Sequence, residues 1–157
     1  MTPEKTHFLY PAALFATREP HIINTILGSC VAVVMWDSVL NIGGMAHYML
    51  PLWNGEGLAS PKYGNIAIER LLEKLNSYGS KKNNIKAKVF GGGEVIDNYE
   101  PYFYIGQRNI EIAREMLGDL NIPIVASSTG GKMGRKLIFN TYTGEVRQRY
   151  VKRQNLE

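Results

Sequence analysis

An uninterrupted apolar run, Val31-Ala32-Val33-Val34-Met35-Trp36, stands directly behind Leu27-Gly28-Ser29-Cys30. Six apolar residues with no polar alternate cannot keep one face wet, so the run reads as a strand covered on both sides. The glycine ahead of it turns the chain and lets backbone amides come close to Cys30, the single cysteine of the chain. Beyond the turn-forming Asp37-Ser38 and Gly43-Gly44, the next apolar run, Met45 to Leu50, carries His47. If the two runs pair, a thiol and an imidazole meet at neighbouring strand ends. A cysteine nucleophile with a histidine base requires that arrangement.

The other segments read as the layers around this strand. His7 to Thr17 and His21 to Leu27 are short apolar stretches broken by Pro11 and Pro20, and they read as strands with turns. Gly44 to Leu50 alternates, with Met45, His47 and Met49 on one side. The loop from Pro51 to Ser60 is rich in Gly, Asn and Pro, and it can overhang a site at His47. A first helix is signposted by Ser60 as cap, Pro61 in the first turn, the stripe Ile68, Leu71, Leu72 and Leu75, and Gly79 as its end. Lys86 to Phe90 reads as a strand running into Gly91-Gly92-Gly93. A second helix covers roughly Ile105 to Leu117, with Gly118 as its stop. A strand from Ile122 to Ala126 leads into Thr129-Gly130-Gly131, and Leu137–Thr141 with Glu145–Val151 forms a hairpin. No internal repeat or linker divides the chain. The expected architecture is a single α+β domain over 1–157, with both helices on one side of a mostly antiparallel sheet system and a tail from about residue 152.

Composition narrows the function classes. The 157 residues are 45% hydrophobic and 20% charged, which are globular values. A single cysteine allows no intrachain disulfide and suits a reducing compartment. Met1 to Lys5 lacks the basic-then-apolar order of a signal peptide, and no apolar run approaches the ~20 residues of a membrane span. A cytoplasmic protein is expected. The net charge of +4 gathers at Lys81-Lys82, Lys132 to Lys136 and Arg147 to Arg153, clusters that can steer an acidic partner. Aromatic and basic residues do not interleave as in a single-strand binder, so no nucleic-acid partner is expected. The triple glycine lacks the lysine of a phosphate loop, and His7 and His21 with one cysteine make a poor zinc set. No metal or cofactor is expected. Arg108 and Asn109 suit either the cap of the second helix or a partner contact.

In order along the chain stand Leu27-Gly28-Ser29-Cys30-Val31-Ala32-Val33, His47 with Met49-Leu50-Pro51, Lys62-Tyr63, Gly91-Gly92, Ile105-Gly106-Gln107-Arg108-Asn109 and Thr129-Gly130-Gly131. From about Thr25 to Val146 this pattern resembles the CheD family, the chemoreceptor glutamine deamidases of bacterial chemotaxis. The resemblance implies a hydrolase that turns glutamines of receptor cytoplasmic helices into glutamates and releases ammonia. It further implies a layered α/β/β fold similar to cysteine-dependent toxin deamidases, and binding to a CheC-type phosphatase. On that basis Cys30 is the expected nucleophile, forming a thioester. His47 is the general acid and base, holding the thiolate as an ion pair. Backbone amides near Gly28, Ser29 and Cys30 are the oxyanion donors. The family pattern places a histidine-orienting threonine six residues before the cysteine; here that position is Asn24, with Thr25 beside it. In a regular strand the two point to opposite faces, so only one can serve, and position favours Asn24. Thr25, Thr129 and Gly130 are candidates for lining the substrate groove. An adaptor acting by binding alone, or a cysteine amidase for another substrate, would fit the same residues.

Overall fold

The computed structural model describes residues 5–94 and 104–152. Among these residues the order is β1 (Lys5–Phe8), β2 (Ala13–Thr17), β3 (His21–Leu27), β4 (Val31–Asp37), β5 (Ile42–Tyr48), α1 (Gly64–Ser77), β6 (Ile85–Gly91), α2 (Ile105–Asp119), β7 (Ile124–Thr129), β8 (Gly134–Asn140) and β9 (Val146–Val151). The strands form a five-stranded sheet in the order β2-β5-β4-β6-β7 and a four-stranded sheet in the order β1-β3-β8-β9. All pairings are antiparallel except β6 with β7 and β1 with β3. The expected α+β layering, with mostly antiparallel strands and two helices, is the fold observed. The tail expected from about residue 152 lies outside the described residues beyond Lys152.

The continuous apolar run explains the layers. It becomes β4, central in the larger sheet and buried along almost its whole length. Its odd positions Val31, Val33 and Met35 pack with Ile68, Leu71 and Leu75 of α1 in one core. Its even positions Ala32 and Val34 pack with Ile23, Leu27, Leu137 and Phe139 of the smaller sheet in a second core. A strand with period two that is apolar at every position needs both of these coverings, because each face would otherwise leave large side chains in water.

Two helix ends differ from expectation, and β7 runs on to Thr129 while β8 begins at Gly134. Helix α1 begins at Gly64 rather than at Ser60-Pro61, with Tyr63 extended at its N-cap and no side-chain cap. The reason is competition from strand-like pairing: the backbone N–H groups of Met49 and Leu50 donate to the Lys62 carbonyl, and Gly64 N–H donates to Leu50. Residues 62–63 are thereby held extended against the chain that leaves β5, and helix starts only after them. Helix α2 runs through Gly118 to Asp119. The left-handed residue after it is Asn121, with φ 58°; asparagine tolerates that conformation and can end a helix as glycine does.

Candidate active site

The pairing of β4 with β5 puts Ala32 opposite His47 and Val31 opposite Tyr48. Cys30 precedes Val31, two residues before the partner of His47, so it is the diagonal neighbour of the imidazole. Alternation puts Cys30, Ala32, Met45 and His47 on the face that looks toward the smaller sheet, and Cys30 packs against the core there. The two residues therefore share one face at one end of the seam between the sheets. Their exposures differ. Cys30 is partly open to solvent, whereas His47 is 1% exposed. Cys30 is thus the member of the two that solvent can reach.

The third partner comes from the opposite sheet and corrects the expected orienter. Thr25 of β3 is fully buried and places its Oγ1 2.7 Å from Nδ1 of His47. Asn24 makes no bond to the ring. Ile23, Thr25 and Leu27 are the buried face of β3, while Ile22, Asn24 and Ile26 form its partly exposed outer face. The family position counted back from the cysteine thus points away from the histidine, and the neighbouring residue takes the contact.

Hydrogen-bond roles at this contact are set by elimination. The Thr25 hydroxyl also lies 2.7 Å from the carbonyl of Leu9, which can only accept, so the hydroxyl proton goes to Leu9. The remaining lone pair of Oγ1 then accepts from His47 Nδ1–H. This fixes the tautomer with the proton on Nδ1 and leaves Nε2 as a bare acceptor. Nε2 is buried and has no hydrogen-bond partner among the described residues. Leu9 is a site residue with no signal in the sequence. It is brought in by its N–H bond to the Asn24 carbonyl, at 2.8 Å, in the crossing from β1 to β2.

Burial sets the charge state. It pushes the Cys30 thiol up to about 11; a smaller effect of the residue's own backbone N–H pulls the other way. Burial also holds the His47 imidazole down at about 4, against a smaller opposing effect of the Leu9 carbonyl. Both shifts favour the thiol and the neutral imidazole over the thiolate–imidazolium pair expected from the sequence. In a low-dielectric seam, separating charge without a substrate to share it is unfavourable. A neutral pair with an unpartnered nitrogen can still take the thiol proton as the sulfur forms a bond.

The glycine elements frame this pair. Gly92 N–H donates to the Cys30 carbonyl at 2.9 Å and Gly93 N–H to Gly28 at 3.0 Å. The chain approaches so closely that a Cβ on Gly91, which has φ +105°, would lie 2.3 Å from the Cys30 carbonyl oxygen. The groove candidates Thr129 and Gly130 stand one step further out. Gly130 N–H donates to Gly91 at 2.9 Å, and Thr129 Oγ1 accepts from Arg114 at 3.3 Å. Arg108 is exposed, but Asn109 is fully buried and donates from its side-chain amide to the carbonyls of Ser29 and Met49. Among the described residues no three metal-binding side chains gather, and no helix is long and apolar enough to cross a membrane.

Fold and site together define a two-sheet α+β protein with a cysteine, a histidine and a threonine at one end of the seam. A family model, CheD chemotactic sensory transduction, matches residues 49–150. The probable chemoreceptor glutamine deamidase CheD of Trichlorobacter lovleyi is 49% identical over 98% of this chain and 96% of its own. The protein of the same name from Sulfurimonas denitrificans is 44% identical over 93% of this chain and 94% of its own. The chemoreceptor glutamine deamidase CheD of Halalkalibacterium halodurans is 40% identical over 89% of this chain and 90% of its own. The chain belongs to the CheD family.

Proposed function

We propose that this protein hydrolyses glutamine side chains on the cytoplasmic helices of chemotaxis receptors to glutamate, releasing ammonia, and that it works in the cytoplasm. Relatives that match almost the full chain carry the name of that activity. The observation that carries the chemistry is the Thr25–His47 bond, which leaves Nε2 free as a base on the strand face shared with the only thiol of the chain. The nucleophile is Cys30, the general acid and base is His47, and Thr25 rather than Asn24 orients the ring.

The Cys30 proton passes to His47 Nε2 as the sulfur bonds to the side-chain carbonyl carbon of the glutamine. The carbonyl oxygen becomes an oxyanion, stabilised by backbone N–H groups around Ser29 and Cys30. The imidazolium returns its proton to the amide nitrogen as the C–N bond breaks and ammonia leaves, giving a thioester. His47 then takes a proton from water as the water oxygen attacks. Collapse releases glutamate and restores the thiol. Because the resting pair is neutral, both charges appear only while substrate is present to take up the electron pair.

Receptor fragments co-expressed with the protein should gain about one mass unit at each modified glutamine, the difference between an amide and an acid. Cys30→Ala should abolish the gain, because covalent catalysis has no substitute for the sulfur. An unchanged mass with the wild-type chain, or a persistent gain with the variant, overturns the proposal. A second reading is an adaptor that binds receptors and a CheC-type phosphatase without turnover. Tyr10, Leu52 and Leu58 support it, being exposed apolar side chains on the chain segments before β2 and after β5. Under that reading, receptor signalling survives Cys30→Ala unchanged.

A further inference from the structure

The β4–β5 ladder ends at the pair Val31–Tyr48. Ser29, Cys30 and Met49 lie past that end; Gly92 N–H holds the Cys30 carbonyl and the Lys62 carbonyl holds Met49 N–H, while the Ser29 and Met49 carbonyls lie beyond the reach of the β4–β5 ladder. Asn109 of α2 reaches into this gap. Its Nδ2 donates one hydrogen to the Ser29 carbonyl at 3.0 Å and the other to the Met49 carbonyl at 2.9 Å. One amide group thus ties the residue before the nucleophile to the second residue after the histidine. The tie is reinforced from below, because the Tyr48 hydroxyl donates to the main-chain carbonyl of Asn109. It is reinforced from above by glycine packing. A Cβ on Gly106 would lie 2.4 Å from the Gly92 carbonyl oxygen, so the first turn of α2 lies directly on the run that holds Cys30.

The two ends of a trans peptide point in opposite directions. Fixing the Ser29 carbonyl toward α2 therefore fixes the Cys30 N–H away from α2. Resting on the deamidase reading, we propose that Asn109 is a positioning residue: through the Ser29–Cys30 peptide it aims the Cys30 N–H at the sulfur and at the oxyanion that forms beside it. Two further observations agree. The Cys30 side chain packs on the smaller-sheet side of β4, the side away from α2. Asn109 Oδ1 is buried without a partner among the described residues. An orphaned buried acceptor is a cost that a side chain kept for packing alone would not impose, since leucine fills the same space without it. The two donated bonds are what asparagine supplies there.

The test uses the full chain with Asn109→Ala and Asn109→Asp, and Leu117→Ala as a control that loosens α2 without touching Ser29. The readouts are the melting transition, the rate of Cys30 alkylation by iodoacetamide as a function of pH, and kcat and KM on receptor fragments. Expected for Asn109→Ala is a folded protein whose Cys30 alkylates at least about tenfold more slowly near pH 8, with a pH profile displaced to the alkaline side. Its kcat should fall about a hundredfold with KM within about twofold, the size of losing one oxyanion donor. Leu117→Ala should melt lower and keep the wild-type profile. Should Asn109→Ala fail to fold, Asn109→Asp keeps the shape but can donate at most one hydrogen bond, and a slower, displaced profile is expected there too. Wild-type or faster alkylation in the folded variant, or an equal displacement in Leu117→Ala, overturns the proposal. If wild-type protein releases no ammonia, the deamidase reading falls, while the alkylation profile still decides the role of Asn109.

Discussion

Thr25 acts as a hinge between two acceptor-donor relations, giving its proton to Leu9 and its lone pair to His47. Thr25→Val keeps the shape and removes both, leaving the Leu9 carbonyl and His47 Nδ1–H unpaired at a buried position. Two unsatisfied groups cost on the order of 1–3 kcal/mol each. The ring also loses its tautomer preference, so a drop in kcat of at least about tenfold is expected, within the range assigned to positioned acid–base catalysis. Ammonia release and the urea midpoint check both effects. Asn24→Ala should leave both nearly unchanged, because that side chain stands on the outer face. The depressed imidazole makes a separate prediction. Its folded value of about 4 lies below its ordinary 6.5, so between those values the unfolded chain binds more protons. Stability is therefore complete above pH 6.5 and is lost as pH falls toward 4, by at most about 3 kcal/mol at 1.36 kcal/mol per pH unit. Urea denaturation at neutral pH and near pH 4.5 should show the loss, and His47→Gln should flatten it.

At the scale of elements, the site depends on how closely the glycine run approaches the cysteine turn. Gly91 has φ +105° and would drive a Cβ to 2.3 Å from the Cys30 carbonyl oxygen, a backbone atom with nowhere to move. Gly91→Ala should destabilise by more than the 1–3 kcal/mol typical of one strained backbone position, and it should displace the nucleophile as well. Gly118 is the opposite case. It is exposed inside α2, and a Cβ there meets nothing within 4 Å. Gly118→Ala should raise stability by about 0.5–1 kcal/mol through helix propensity and a less flexible unfolded chain. Paired urea titrations of the two variants give shifts of opposite sign, and two shifts of the same sign would contradict the packing described.

Across the whole molecule, the smaller sheet has a face without a covering layer among the described residues. Register places Ile22, Asn24 and Ile26 of β3 beside Asn140, Ile138 and Lys136 of β8, and Ile138 and Lys136 beside Arg147 and Arg149 of β9. A shallow groove there is lined by Lys136, Ile138, Arg147, Gln148 and Arg149. Such a cationic row attracts acidic helices at a distance and is screened by salt. Raising ionic strength from about 0.05 to 0.3 M should increase KM for receptor fragments several-fold with little change in kcat, and Arg149→Glu should mimic the effect. A salt-independent KM would remove this face from docking.

Much of the fold was legible because it rests on periodicity. The apolar run of β4 and the stripe of α1 bury what their repeat predicts, and β8 and β9 pair as the expected hairpin. The cysteine and the histidine share a face for the same reason: a period of two settles facing as soon as two strands pair. The partner of His47 was not legible. Both faces of β3 carry two large aliphatic residues, Ile23 and Leu27 on one and Ile22 and Ile26 on the other, so the pattern cannot say which is inside. Only the packing of one sheet on the other turned Thr25 inward. The neutral state of the pair and the tie made by Asn109 were decided there too. Burial, and contacts across 80 and 60 residues of chain, arise only when distant segments are brought together, and local sequence carries no term for either.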